Sequence, residues 1–117
     1  MKKLKKYLVI YHAPASAREQ TANVTPEQMA KGMEAWMMWA KRCGDKLVHL
    51  GSPLVNGQKL SPDGSVAGSE KNVSGYSILE AENMDEAREL LSGHPHISGW
   101  HSEATIEIHE SMPIPGM

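Results

Sequence analysis

Hydrophobic and polar positions alternate with a two-residue period in three stretches of this chain and recur with a helical period in two others. In residues 7–11, Tyr7, Val9 and Tyr11 face one way and Leu8 and Ile10 the other, the pattern of a strand that is apolar on both faces and lies inside a sheet. His12 ends that strand on the Leu8/Ile10 side. Tyr76, Ile78 and Glu80 alternate with Ser77, Leu79 and Ala81, which predicts a second internal strand. Ala104, Ile106 and Ile108 alternate with Thr105, Glu107 and His109, a strand with one buried and one wetter face. Met29, Met33, Trp36, Met37, Ala40 and Cys43 instead follow the 3.6-residue period, with Trp39 at one border, and predict a long helix that buries one wide face. Met38 falls on its opposite side, among Lys31, Glu34 and Arg42. Met84, Ala87, Leu90 and Leu91 mark a shorter helix.

The residues between these stretches set their ends. Thr25-Pro26-Glu27-Gln28 opens the long helix as a capping box with proline at the first helical position, and Val24 can staple onto Met29. Lys41, Arg42 and Gly44 suit its carboxyl end. Asn83 caps the shorter helix, with Glu86 placed to reach back. Gly93 and Pro95 then stop it, because proline has no N–H with which to continue, and His94 and His96 are left on a tight corner. Residues 47–54 read as a strand. The Asn56-Gly57 pair suits a type I′ turn, so 58–61 should return as the antiparallel partner of 47–54. Ser61-Pro62-Asp63-Gly64 is a further turn, 65–74 a polar excursion, 13–23 a loop that folds over a pocket, and 112–117 an extended tail.

The resulting order is strand, helix, strand with a hairpin extension, strand, helix, strand: a split β-α-β arrangement. It predicts an α+β, ferredoxin-like fold, an antiparallel sheet with both helices on one face, in a single domain over residues 1–111. The other sheet face keeps apolar side chains that one small domain has nothing left to cover, and a second copy is the expected cover.

Composition narrows the function classes. The 117 residues carry a net charge of -2 with 22% charged side chains, so no broad basic field points to nucleic acid. Cys43 is the single cysteine, which suits a reducing cytoplasm and a small buried role. The lysine-rich start leads into an apolar run of only five residues, 7–11, shorter than the roughly 7–15 of an export signal. No stretch approaches the roughly 20 apolar residues that span a bilayer. Nucleophile elbow, P-loop, dinucleotide fingerprint and paired-cysteine motifs are absent from the sequence. A cytoplasmic protein with no cofactor, no nucleic-acid partner and no membrane partner is expected.

The Asp63-Gly64 turn, the segment GYSILEAENMDEARELL, and the Pro95-His96-Ile97 corner leading into ATIEIHES resemble the YCII-related proteins, above all the branch with a DGPF motif. The resemblance runs from Lys6 to Ser111, and DGPF stands here as Asp63-Gly64-Ser65-Val66. It implies a ferredoxin-like domain that pairs into a dimeric α+β barrel. It also implies a candidate active site in which a histidine and an aspartate take part. In simpler members that aspartate precedes the corner proline, where this chain has His94, so the dyad does not carry over.

Imidazoles give and take protons near neutrality. His96, on a corner between a helix end and a strand, is accordingly the first candidate general acid/base, with His94 and Asp63 as companions; capping of the corner's own carbonyls is the plain alternative. His12, Met33, Trp36 and His49 are candidate lining for a small-molecule cleft between sheet and helices, since thioethers and indoles adapt to flat organic molecules; core packing is the plain alternative for the methionine and tryptophan stripe. His94 and His96 with His101 also suggest an open metal site, against which stands a spacing that crosses a proline corner. The functional expectation is a homodimer that binds a small organic molecule and shuttles a proton through His96. The alternative is a non-catalytic ligand-binding or regulatory dimer.

Overall fold

The alternation in residues 7–11 is realised as β1 (Lys5–His12), the inner strand on which the sheet is built. The structure is a computed structural model and describes residues 3–22 and 24–116. Met1, Lys2, Asn23 and Met117, read above as parts of the terminus, the loop after the first strand and the tail, lie outside the described residues. After β1 come α1 (Ala15–Ala22), α2 (Pro26–Cys43), β2 (Leu47–Pro53), β3 (Gln58–Leu60), β4 (Val66–Gly68), β5 (Val73–Ala81), α3 (Met84–Leu91) and β6 (Thr105–Glu110). The main sheet has the order β2-β5-β1-β6 with every neighbour antiparallel. This is the ferredoxin-like α+β arrangement that the element order predicts.

The register sorts β1 into two faces. Tyr7, Val9 and Tyr11, with Ser77, Leu79 and Ala81 of β5, are buried under the helices against Trp39, Cys43, Ala87 and Leu91. Burying one such large apolar side chain contributes about 1.5–3 kcal/mol. On the other face Leu8 stands opposite Ile78 and His109, and Ile10 opposite Tyr76 and Glu107. These apolar side chains remain partly exposed in one chain.

The helix ends follow local chemistry. The Thr25 hydroxyl accepts from Gln28 N–H at 3.1 Å while the Gln28 side chain accepts from Thr25 N–H at 2.9 Å, the reciprocal capping box. Asn83 accepts from Glu86 N–H at 2.9 Å, whereas the Glu86 carboxylate pairs with Lys46 rather than with the cap residue. Trp39 Nε1–H donates to the Leu90 carbonyl at 2.8 Å, and Arg42 donates to the carbonyls of Leu90 and Ser92 at 3.0 and 2.7 Å. A cation thus satisfies the orphan acceptors of the α3 carboxyl end from a neighbouring helix.

Three expectations are corrected. The stretch 13–23 is a helix over most of its length, α1, anchored by the fully buried Ala17. Its sequence has no wide apolar stripe, and one small residue seated on the core suffices. Met29, Met33 and Met37 are exposed, at 64%, 59% and 52%. Residues 26–35 of α2 are all exposed, and its buried face comes down to Trp36, Trp39, Ala40 and Cys43. Residues 58–60 pair with β4, not β2. Only Asn56 of the Asn56-Gly57 pair adopts positive φ, while a type I′ turn needs it at both positions; the hairpin closes instead at Pro62-Asp63-Gly64, with Gly64 N–H bonded to the Ser61 carbonyl.

β2 is bulged twice against β5. At Gly51, φ is +84° and an added Cβ would sit 1.6 Å from the Tyr76 carbonyl oxygen. Only glycine allows that approach, and it leaves the neighbouring Leu50 carbonyl turned to a side chain, as described below.

Candidate functional site

The corner after α3 is a 3-10 turn, Pro95–Ile97, capped by His94, whose Nδ1 accepts from the His96 N–H at 2.9 Å. The His94 ring has no solvent exposure. It stacks on Tyr11, with centroids 5.1 Å apart, and meets Trp36 and Trp39 edge-on at 4.4 and 4.3 Å. Its Nε2 lies 3.3 Å from Tyr11 Oη, which is 2.8 Å from Ser77 Oγ, and the Ser77 hydroxyl donates to the Leu50 carbonyl at 2.6 Å. Burial first, then the positive charges of His96 and Arg42, push the His94 imidazole down to about 3. Burial pushes the Tyr11 phenol up to about 12, against the opposing pull of its Ser77 bond.

His96 lies next to it and is 5% exposed. Its ring sits between Tyr11 and Trp100, at 5.2 Å from each, and its Nε2–H donates to the His12 carbonyl at 2.9 Å. Burial lowers its basicity, and the carbonyls of His12 and Thr105 act in the opposite sense. The corner histidine is therefore tied to the paired ends of β1 and β6, where His12 stands opposite Thr105.

A hollow of about 370 Å³ opens at those strand ends, lined by His12, Ala13, Pro14, Lys71, Asn72, Glu103, Thr105 and Glu107. His12 Nδ1–H donates to the Lys71 carbonyl at 2.7 Å, which directs Nε2 to the Glu107 carboxylate 3.7 Å away. Glu107 also accepts from His109 Nε2 at 3.0 Å. The hydrogen bond from His109 and the charge of His12 hold its carboxyl below the usual range. A half-exposed carboxylate with an imidazole on either side can accept a hydrogen bond from a visiting molecule and pass a proton to or from it.

The candidate residues fall in four places. His94 and His96 meet at the corner with Trp36, and His12 joins them through its backbone. Between sheet and α2 beside the corner, the rings of Trp36, Trp39 and Tyr11 pack around His94. Met33 lies on the exposed half of α2. His49 stacks on Tyr76 across the open sheet face, its Nδ1 accepting from Gly51 N–H at 2.8 Å. Asp63 closes the β3–β4 hairpin by accepting from Ser65 N–H at 2.9 Å, and its bonds to Ser65 hold its carboxyl below the usual range. A second, polar hollow of about 430 Å³ lies beside that hairpin, lined by Gln58, Lys59, Ser69, Glu70 and Lys71.

His101 turns to Ser16, with its Nε2 3.3 Å from Oγ, and does not converge with His94 and His96. Among the described residues no group of three His, Cys, Asp or Glu stands close enough to hold a metal ion. No helix among them is long and apolar enough to cross a membrane. Sequence reasoning did not single out Tyr11, Ser77, Thr105 or Glu107 as site residues. For Glu107 a signal existed: the two-residue period puts it on the wetter face of β6, alongside His109.

The family model of the YCII-related domain matches residues 6–108 of the chain. Comparison with curated proteins gives no match.

Proposed function

The chain belongs to the YCII-related domain family, and on that premise we propose that it binds a small polar organic molecule in the hollow at the end of β1 and β6. Glu107 is the group that meets the ligand, and His12 behind it shares the proton. The supporting observation is the Glu107 carboxylate held between His12 and His109 at the mouth of a recess of about 370 Å³. Two carboxylates, Glu103 and Glu107, favour a ligand that presents a hydrogen-bond donor, an amine, amide or hydroxyl. His96 serves behind the hollow, holding the His12 and Thr105 backbone, and His94 lies one layer deeper. In this reading the open sheet face, with Leu8, Ile10, Tyr76 and Ile78, packs on a second copy in a homodimeric barrel that works in the cytoplasm. An Ile78→Arg variant then sediments as a monomer while the parent sediments as a dimer.

The test is a melting-shift screen with small amines, amides and hydroxy acids on the parent chain, on Glu107→Gln and on Met33→Gln. A stabilising compound should lose its effect in Glu107→Gln and keep it in Met33→Gln. The opposite pattern would move the site to α2. Turnover of a bound compound that disappears in His12→Asn while binding persists makes the protein an enzyme; binding without turnover makes it a sensor.

A further inference from the structure

A single line of hydrogen bonds runs from β2 through β5 and β1 to the corner, and its two ends admit only one sense. Leu50 contributes a carbonyl, which only accepts, so the Ser77 hydroxyl spends its proton there at 2.6 Å. The Tyr11 hydroxyl must then give its own proton to Ser77 Oγ at 2.8 Å and accept from the next group. At the other end His96 contributes a backbone N–H, which only donates, so His94 Nδ1 must be the bare nitrogen that accepts it at 2.9 Å. The remaining proton of a neutral His94 therefore sits on Nε2, aimed at Tyr11 Oη 3.3 Å away. Each member is satisfied, and no lone pair or proton of the His94 ring is left for chemistry. The His96 side chain carries the line onward, donating from Nε2 to the His12 carbonyl at 2.9 Å.

We propose that His94 is a positioning residue: its imidazole, locked as the neutral Nε2–H tautomer, transmits the placement of the sheet interior to His96 and so sets where His12 stands at the hollow. This role rests on the reading of the hollow given above. Three charged or titratable groups face the ring: Tyr11 from β1, His96 from the corner and Arg42 from α2. Two of these are cations or potential cations, and each opposes a proton on Nδ1. At the far end His12 is faced by Glu107 from β6 and by the Lys71 carbonyl. The bulge at Gly51 belongs to the same construction, since it frees the Leu50 carbonyl from the ladder for Ser77.

Ring-nitrogen NMR on histidine-labelled protein tests the proposal without any ligand. The parent should show His94 protonated at Nε2 and bare at Nδ1. In Tyr11→Phe, which keeps the ring but removes the acceptor, the His94 Nε2 proton should exchange with solvent at least about tenfold faster, because its bond is lost, and the His12 imidazole resonances should move. Ser77→Ala, one link further out, should move them in the same direction by less; it also supplies the measurement should Tyr11→Phe not fold. A His94 ring protonated at Nδ1 overturns the proposal. So does an unmoved His12 in a variant whose melting point has fallen, because that pattern is plain packing loss. Ligand binding fails or succeeds separately: a coupled His12 with no ligand at Glu107 removes the proposed function and leaves the relay standing.

Discussion

The interior under the second half of α2 and the rim at the end of β1 each hold a histidine, and the His94 ring is linked to the His12 backbone through His96 by two hydrogen bonds. Their surroundings give them opposite uses. His94 is enclosed by three aromatic rings and has both nitrogens engaged. His12 spends only Nδ1 on the backbone and turns Nε2 to a carboxylate at the edge of a recess. The same side chain is locked where every donor and acceptor is paired and keeps a nitrogen available where one is not; burial and bonding decide, not residue type.

The largest effect is expected at Gly51. Gly51→Ala forces a Cβ into the Tyr76 carbonyl and a positive φ onto alanine, so we expect a loss of about 4 kcal/mol or more, or no folded protein. Urea unfolding measures it. His94→Ala leaves a void among Trp36, Trp39 and Tyr11 and takes the acceptor from the buried His96 N–H, and should cost about 3 kcal/mol or more, whereas His12→Asn at the rim should cost about 1 kcal/mol or less. Equal costs would erase the distinction between the two sites.

Acid sharpens it. Folded His94 resists protonation down to about 3, while the unfolded chain takes that proton near 6.5. Between those values the unfolded state holds more protons, so stability is fully present above about 6.5 and falls as the pH drops, by up to about 1.4 kcal/mol per pH unit, levelling off below about 3. His96, also lowered, adds in the same sense. Glu107 and Asp63 are likewise lowered and join only in the more acidic part of the range. Urea midpoints across a pH series should show a clear slope in the parent between about 4.5 and 6.5, and a shallower one in His94→Gln. The smallest effects come from α2. Thr25→Ala, which removes the capping hydroxyl, should cost about 1 kcal/mol, and Met33→Gln on the exposed half should stay within about 0.5 kcal/mol.

Much of the frame was legible because local rules agree with it. The capping box at Thr25, the two apolar faces of β1 and the Asn83 cap each follow from a few neighbouring residues. The resemblance to the YCII-related family was legible in the PHI corner and the strands around it. What escaped notice depends on contacts distant in sequence. Period alone could not tell that Met29, Met33 and Met37 stay exposed, since it marks them in the same stripe as Trp36, Ala40 and Cys43. Ser77 meets Tyr11 across 66 positions, and nothing near either residue announces that bond. His94 read as a residue before a proline; its enclosure comes from Trp36 and Trp39, two helices away.

The most direct measurement is an NMR titration of the histidine imidazoles, six in the chain, across about pH 5 to 8. The account predicts that the His94 resonances stay at neutral values throughout. A protonation midpoint for His94 inside that window would mean a ring open to solvent, and the contrast between a locked His94 and an available His12 would not hold.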